Sequence, residues 1–334
     1  MKRRGVLLLT LVLVAAASST ATAYLKLGSR VGTRTITLKW PRMPIRYFVV
    51  DRAAPSVTAQ QMRETVSRAF STWNAVPTAV TSSEFAGFTG ATPRGGDDVT
   101  VIGFQNRPDL DRTLGATSFL VDTTTGDILE SDIFFNTAFP WSVAARGEPN
   151  RFDLESIALH EIGHLHGLAH SAIGETELRA GGRRVIAAES VMFPIAFSPA
   201  NVEFRTLRAD DIAGISDLYP AARFTRQTGS VSGTVTKNGA GVLGAHIVAF
   251  HLRTGRIVGG FSLSGDGSFV IAGLEPGPHI LRVEPLDDAD IESFLDLTLG
   301  VDVSFGVKFH NRLVVVPSGG SARSIEIKVV PKSG

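Results

Sequence analysis

The sequence predicts an α+β domain followed by an all-β sandwich, and three observations carry that prediction. Between Thr33 and Tyr219, alternating strand-like runs are interleaved with stretches whose apolar residues recur at helical spacing. Residues 160–170 read His-Glu-Ile-Gly-His-Leu-His-Gly-Leu-Ala-His, a pattern whose histidines converge when a helix is followed by a turn. After Arg223 the helical spacing gives way to short alternating runs punctuated by Asn238-Gly239 and Asp266-Gly267. A chain of 334 residues with 43% hydrophobic content can bury a core in each of two domains.

Met1 to Ala23 reads as a secretory signal peptide. Lys2, Arg3 and Arg4 form a positive start, Val6 to Ala17 is an apolar run short for a bilayer span, and Ala21-Thr22-Ala23 is a cleavage pattern. A mature protein starting near Tyr24 is therefore expected outside the cytoplasm, extracellular or periplasmic, with no stable membrane insertion after leader cleavage. Lys+Arg number 33 and Asp+Glu 32, and setting aside the three leader cations leaves a formal charge of −2. That balance gives no footprint for nucleic acid. Cysteine is absent, so neither a disulfide framework nor a thiolate metal ligand is available.

Strand signals come first, at Thr35 to Trp40 and, after Pro41 and Pro44, at Ile45 to Val50. Thr58 with Gln61 forms a capping box, and Met62, Val66, Ala69, Phe70 and Trp73 then mark a helix with one buried face. Asp98 to Phe104 is expected as a strand, and Ala116 to Val121 and Ile128 to Phe135 as a strand pair around the turn at Thr125-Gly126-Asp127. Asp153 can cap the next helix, whose apolar stripe is Leu154, Ala158, Ile162 and Leu165. Ala180 to Arg184 is expected as a surface loop, and Asp210 to Tyr219 as a helix stopped by Pro220.

On the middle helix, His160 and His164 lie one turn apart on one face, with Glu161 beside them. Gly167 can take the positive φ that ends the helix and brings His170 back to the same point. Three neutral imidazoles with an open fourth position suit a catalytic zinc, and Glu161 is then placed to act as general base. His166 points roughly 220° away from the ligand direction on a helical wheel and is read as a bystander.

These residues carry a resemblance. Residues from about Thr33 to Tyr219 look like a matrixin-type metzincin, a zinc endopeptidase: the long histidine motif is followed by Ser171, Ser190-Val191-Met192-Phe193-Pro194 resembles the Met-turn, and Asp210-Asp211-x-x-Gly214-Ile215 with Leu218-Tyr219 resembles the closing helix. The resemblance implies a twisted, mostly parallel sheet with helices, a small subdomain after Gly167 and a zinc cleft between them. It implies one zinc on His160, His164 and His170, Glu161 as general base and Met192 packed beneath the metal. It also implies a protein or peptide substrate bound in extended form along a sheet edge, expected around Leu114 to Phe119. Calcium is common in the family, and Asp97, Asp98, Asp122 and Asp127 are candidate oxygen donors beside their ordinary role in turns.

The chain departs from the family's pattern in places. No histidine precedes His160, which leaves a second, structural zinc without its usual ligands. No cysteine is available for the family's usual latch on the metal, and Ile195-Ala196-Phe197 stands where a tyrosine usually helps to wall the specificity pocket.

Further on, Val231 to Val235, Ala245 to Phe250, Phe269 to Ile271 and Ile280 to Val283 read as sandwich strands, with more at Val301 to Phe309, Leu313 to Val316 and Ile325 to Val329. Gly229 to Pro285 resembles the carboxypeptidase regulatory-like, transthyretin-like domain, notably at Asp266-Gly267-Ser268-Phe269 and Gly273-Leu274-x-Pro276-Gly277. His246, His251, His279 and His310 share no ligand spacing and are read as surface or packing residues. The expected organisation is a signal peptide over 1–23, a protease domain over 24–222, a linker over 223–228 and a sandwich over 229–334. The expected function is that of a secreted zinc endopeptidase. The alternative is a secreted adhesion or scaffold protein whose metzincin domain is catalytically silent.

Overall fold

The computed structural model describes residues 6–9, 26–31, 34–179, 182–196, 198–286, 291–295 and 300–332. Of the expected leader only Val6–Leu9 falls among them, as strand β1. The rest of that segment lies outside the described residues, as does Phe197.

A hairpin of β2 (Gly28–Val31) and β3 (Arg34–Thr37) precedes β4 (Ile45–Val50) and the helix α1 (Ala59–Asn74). The capping box at Thr58 and Gln61 forms as the sequence predicts, and Met62, Val66, Ala69, Phe70 and Trp73 are all buried. The strands β5 (Ser83–Thr89), β6 (Val101–Gln105), β7 (Gly115–Asp122) and β8 (Ile128–Asn136) complete a six-stranded sheet in the order β1-β7-β8-β6-β4-β5. Pairs β4/β5, β4/β6 and β6/β8 run parallel, whereas β7 and β1 close one edge antiparallel. Two short strands, β9 (Trp141–Ser142) and β10 (Phe152–Asp153), lead into α2 (Leu154–Leu165). Trp73 on α1 fills the space against α2 and donates its indole N–H to the Leu159 carbonyl at 2.9 Å. A shared core of Tyr47, Phe70, Ile133, Phe135, Ile162 and Leu165 fixes α2 against both the sheet and α1.

Several elements depart from the sequence reading. The strand expected from Asp98 starts at Val101, because Asp98 has φ +62° and its N–H, like those of Gly96 and Asp97, bonds the buried Glu130 carboxylate at 2.6–2.9 Å. The β2/β3 hairpin extends strand structure upstream of Thr35, and the run from there to Trp40 ends at Thr37. Strand β5 was not foreseen, since Ser-Glu-Phe-Ala-Gly-Phe-Thr carries a weak alternation. Of the loop expected at 180–184, residues 182–184 instead belong to β12 (Gly182–Ala188), which pairs with β11 (Gly174–Arg179), and residues 180–181 lie outside the described residues; the exposed face of this pair gives no apolar period to read.

Helix α3 (Ala209–Leu218) ends before Pro220, and a short helix, α4 (Phe224–Gln227), buries Phe224 within the expected linker. Beyond it lie β13 (Gly229–Lys237), β14 (Ala240–Gly241), β15 (His246–His251), β16 (Ile257–Phe261), β17 (Ser268–Leu274) and β18 (Gly277–Glu284). A 3₁₀ turn at Ile291–Ser293 follows, then β19 (Lys308–Phe309), β20 (Val314–Val316) and β21 (Ser321–Val329). One sheet orders β14-β13-β17 with β21 parallel to β13; the other orders β16-β15-β18-β19 with β20 also on β18. Val231, Val235, Phe269 and Ile271 of the first sheet share a core with Ile247, Ala249, Leu281 and Val283 of the second. The expected strand from Val301 reduces to Lys308–Phe309, because residues 301–307 make only isolated pairings such as Phe305 with Pro331.

Helix α3 joins the two halves. Ala213 belongs to the core of the C-terminal sheets, and Gly273, at φ +73°, lets the chain approach so closely that an added Cβ would come within 2.7 Å of the Ala213 Cβ.

Candidate metal centre

Asp153 caps α2 by accepting from the Ser156 N–H at 2.9 Å, and Arg205 holds the same carboxylate. At the other end, carbonyls left without helical partners are taken by aromatic side chains: the Trp40 indole donates to Leu165 O at 2.8 Å and the Tyr219 hydroxyl to His166 O at 2.6 Å. Gly167 takes φ +104°, which turns the chain so that Leu168 N bonds Gly163 O and His170 swings back over the helix.

The result gathers His160, His164 and His170. The Nε2 of His164 lies 3.1 Å from that of His160 and 3.2 Å from that of His170. Each ring's other nitrogen faces a backbone carbonyl: Val191 O at 2.7 Å for His160, Leu168 O at 2.8 Å for His164, and Ser293 O at 2.6 Å for His170. Donation from Nδ1–H to a carbonyl leaves each Nε2 as a bare lone pair. Three lone pairs converging at that separation repel one another unless a cation sits among them, so the donor set fits a metal that takes neutral nitrogen ligands. Burial holds all three imidazoles below the usual histidine range, His160 at about 3, which keeps them neutral. Among the described residues this is the only convergent group of three or more potential ligands.

Glu161 lies on the same cleft, 5% exposed. Its Oε2 accepts from the Thr117 hydroxyl at 2.7 Å. Burial pushes the Glu161 carboxyl up to about 7, against the pull of that hydrogen bond. Gly115 makes room for it, since a Cβ there would stand 3.2 Å from Glu161 Oε1 and 3.1 Å from a backbone oxygen of β8. Thr117 and Gly115 escape a sequence reading because they sit unmarked within the alternation of β7.

Met192 is buried beneath the ligand helix, its thioether filling the space where a side chain on Gly163 would project. Asp210 and Asp211, which the sequence marks as acidic residues at a helix start, are buried and bonded to this region. Asp211 accepts from Ser190 Oγ at 2.6 Å, Val191 N at 2.9 Å and Met192 N at 3.2 Å, fixing the turn that carries the methionine. Asp210 accepts from Ser171 Oγ at 2.6 Å and Gly259 N at 2.8 Å. Burial raises both carboxyls, that of Asp210 to about 7.

A cavity of about 320 Å³ opens over the three histidines, lined among others by Leu114, Gly115, Ala116, Pro194 and Ile195. Strand β1 pairs with Phe119–Asp122 of β7, so the edge expected around Leu114 to Phe119 narrows to Gly115–Ser118, which has no second strand partner among the described residues.

The other predicted residues stay apart from the cleft. His166 is enclosed by Phe70, Trp73 and Tyr219, with Nδ1 2.7 Å from Ile162 O. Asp97 and Asp122 bond the backbone N–H groups two residues on, as turn aspartates do. His246, His251 and His279 are buried packing residues, and the β15/β18 register sets His251 opposite His279 with ring centroids 4.8 Å apart.

Comparison with known proteins bears on this site. The Matrixin family model matches residues 39–220, more than half of the chain. Metalloendoproteinase 1 of Glycine max is 44% identical over 68 residues, 20% of this chain and 17% of that protein. Metalloendoproteinase 5-MMP of Arabidopsis thaliana is 43% identical over 68 residues, 20% of this chain and 14% of that protein. The chain thus aligns with well under two thirds of these relatives' length. The Bacillus anthracis TIE protein is 17% identical over 31% of this chain and 17% of that one, with a TM-score of 0.21, too distant to inform either fold or chemistry. No described helix is long and apolar enough to cross a membrane.

Proposed function

The chain belongs to the matrixin family, and from that premise we propose that it is a zinc-dependent endopeptidase with His160, His164 and His170 as the ligands of one zinc ion and Glu161 as general base. The observation that carries this reading is the convergence of three Nε2 lone pairs beside a buried carboxylate in an open cleft. When bound, zinc supplies a Lewis acid and a water molecule whose pKa falls to near neutrality.

The chain's own residues do the rest. Glu161, buried on the cleft beside His160 and His164, takes the proton of the attacking water and delivers it to the departing amine. Thr117 holds the receiving carboxylate in one orientation. The edge at Gly115–Ser118, without a second strand partner among the described residues, offers backbone groups to a peptide lying extended across the cleft as an added strand. Pro194 and Ile195 line the same cavity, and Met192 packs against the helix that carries His160 and His164.

The N-terminal segment fits export as a secreted protein, and the C-terminal pair of sheets fits a carboxypeptidase regulatory-like sandwich appended to the protease domain. The test is Glu161→Ala. It retains stoichiometric zinc while cleavage of a quenched peptide falls by about 10²–10⁴-fold, the usual contribution of a positioned base. A variant that cleaves at the wild-type rate refutes the assignment.

A further inference from the structure

Two of the three histidines are held from within the protease half, by the carbonyls of Val191 and Leu168. The third is not. His170 Nδ1 bonds the carbonyl of Ser293, a residue 123 positions further along, in the 3₁₀ turn after β18. We propose that the C-terminal β-unit is part of the metal centre, positioning His170 through the Ser293 carbonyl and bracing the segment that carries His170 through Gly259, Asp210 and Ser171.

Each contact is built rather than incidental. The turn at Ile291–Ser293 is tied by N–H bonds from Phe294 and Leu295 to Ile291 O, both 2.9 Å. Phe294 and Leu295 are buried with Phe261 and with Ala172, which lies two residues beyond His170, and Ala169 and Ile195 pack on the same cluster. The Phe294 ring stands edge-on to the His170 ring, centroids 6.5 Å apart, so it limits rotation of that imidazole. On the other flank one carboxylate spans the two halves: Asp210 accepts from Ser171, next to His170, and from the Gly259 amide of β16. Gly259 itself permits that approach, since a Cβ there would stand 2.7 Å from His246 Nε2 and 3.0 Å from Ile173.

A carbonyl on Nδ1–H selects the tautomer whose Nε2 lone pair is free and fixes the ring's direction, and loss of such support ordinarily costs 10–100-fold in metal affinity. The β-unit and the metal are then thermodynamically linked, so zinc in turn tightens the seating of β16 and the Ser293 turn. This inference rests on the one-zinc reading of the three histidines.

The experiment uses the full chain. Zinc release is followed by competition with a chromophoric chelator in wild type, Phe294→Ala, Gly259→Ala and Ile327→Val, the last trimming the core of the β-unit away from the contact. The first two variants release zinc about 10–100-fold faster and alter the visible spectrum of the cobalt-loaded protein, whereas Ile327→Val does neither. Amide hydrogen exchange on the wild type needs no variant to fold: adding zinc slows exchange at Gly259, Phe294 and Leu295. Wild-type release rates and cobalt spectra in both contact variants, or exchange at those amides indifferent to zinc, overturn the proposal while leaving the zinc site intact. A wild-type chain that takes up no zinc, or a His160→Ala variant that holds it unchanged, overturns the metal-site reading and this inference with it.

Discussion

Replacing Thr117 by valine removes one hydroxyl and keeps a β-branched side chain in strand β7. That hydroxyl donates to Glu161 Oε2 at 2.7 Å, and both residues are buried, so water cannot readily substitute for it. A hydrogen bond to a charged group contributes about 1.5–3 kcal/mol. It favours the ionised form over the protonated one, so its loss raises the carboxyl's pKa, by up to about one to two units at 1.36 kcal/mol each. In the proposed mechanism Glu161 acts as a base when ionised, so activity climbs as pH rises through that pKa. The acid limb of kcat/KM for a quenched peptide therefore moves to higher pH by up to about one to two units. At a pH below both limbs the variant is up to about 10–100-fold slower than wild type, and on the alkaline side the two profiles converge. Zinc content and urea stability are measured alongside to separate this effect from misfolding. An acid limb that stays in place, with a uniform loss of rate at every pH, refutes the claim that Thr117 tunes Glu161 and leaves it a packing residue.

Two further outcomes follow from the same structure. In Gly163→Ala the new methyl overlaps the Met192 thioether and crowds Trp73, so urea denaturation shows a loss of about 1–3 kcal/mol, and an unchanged midpoint counts against the packing described. Asp132 is a buried carboxyl in the sheet, raised to about 6 by burial and by the neighbouring Glu130, against hydrogen bonds from Val101, Gly95 and Arg94. Its folded pKa lies above the unfolded value of about 3.9, so its contribution to stability is fully present below that value and is lost as pH rises through about 6. Asparagine has no such dependence. The stability advantage of wild type over Asp132→Asn therefore narrows by about 2–3 kcal/mol between pH 4 and pH 7, and a gap independent of pH contradicts the shift.

What the sequence determined by itself is the chemistry that lies within one helix and the turn after it. Periodicity separates the faces of α2, so His160, His164 and Glu161 could be named as candidates from spacing, with His170 added by the turn at Gly167 and His166 set aside. The capping residues Thr58 and Asp153 and the turn at Gly167 were legible for the same reason, being local. Tertiary structure alone decided what surrounds those residues. Thr117 reaches Glu161 because β7 lies across α2, and nothing in a threonine within an alternating strand signals a carboxylate 44 residues away. Asp210 and Asp211 keep their place at the helix start, where Asp211 accepts from Arg208 N at 2.8 Å, but only the packing of α3 under the methionine turn gives them their buried bonds to Ser171, Ser190 and Met192. Ser293 is the extreme case, since it acts through a backbone carbonyl that every residue type possesses. A contact made by the main chain, between units that meet along α3, β16, β17 and the Ser293 turn, leaves no mark on residue identity, and only the folded chain brings it to the third histidine.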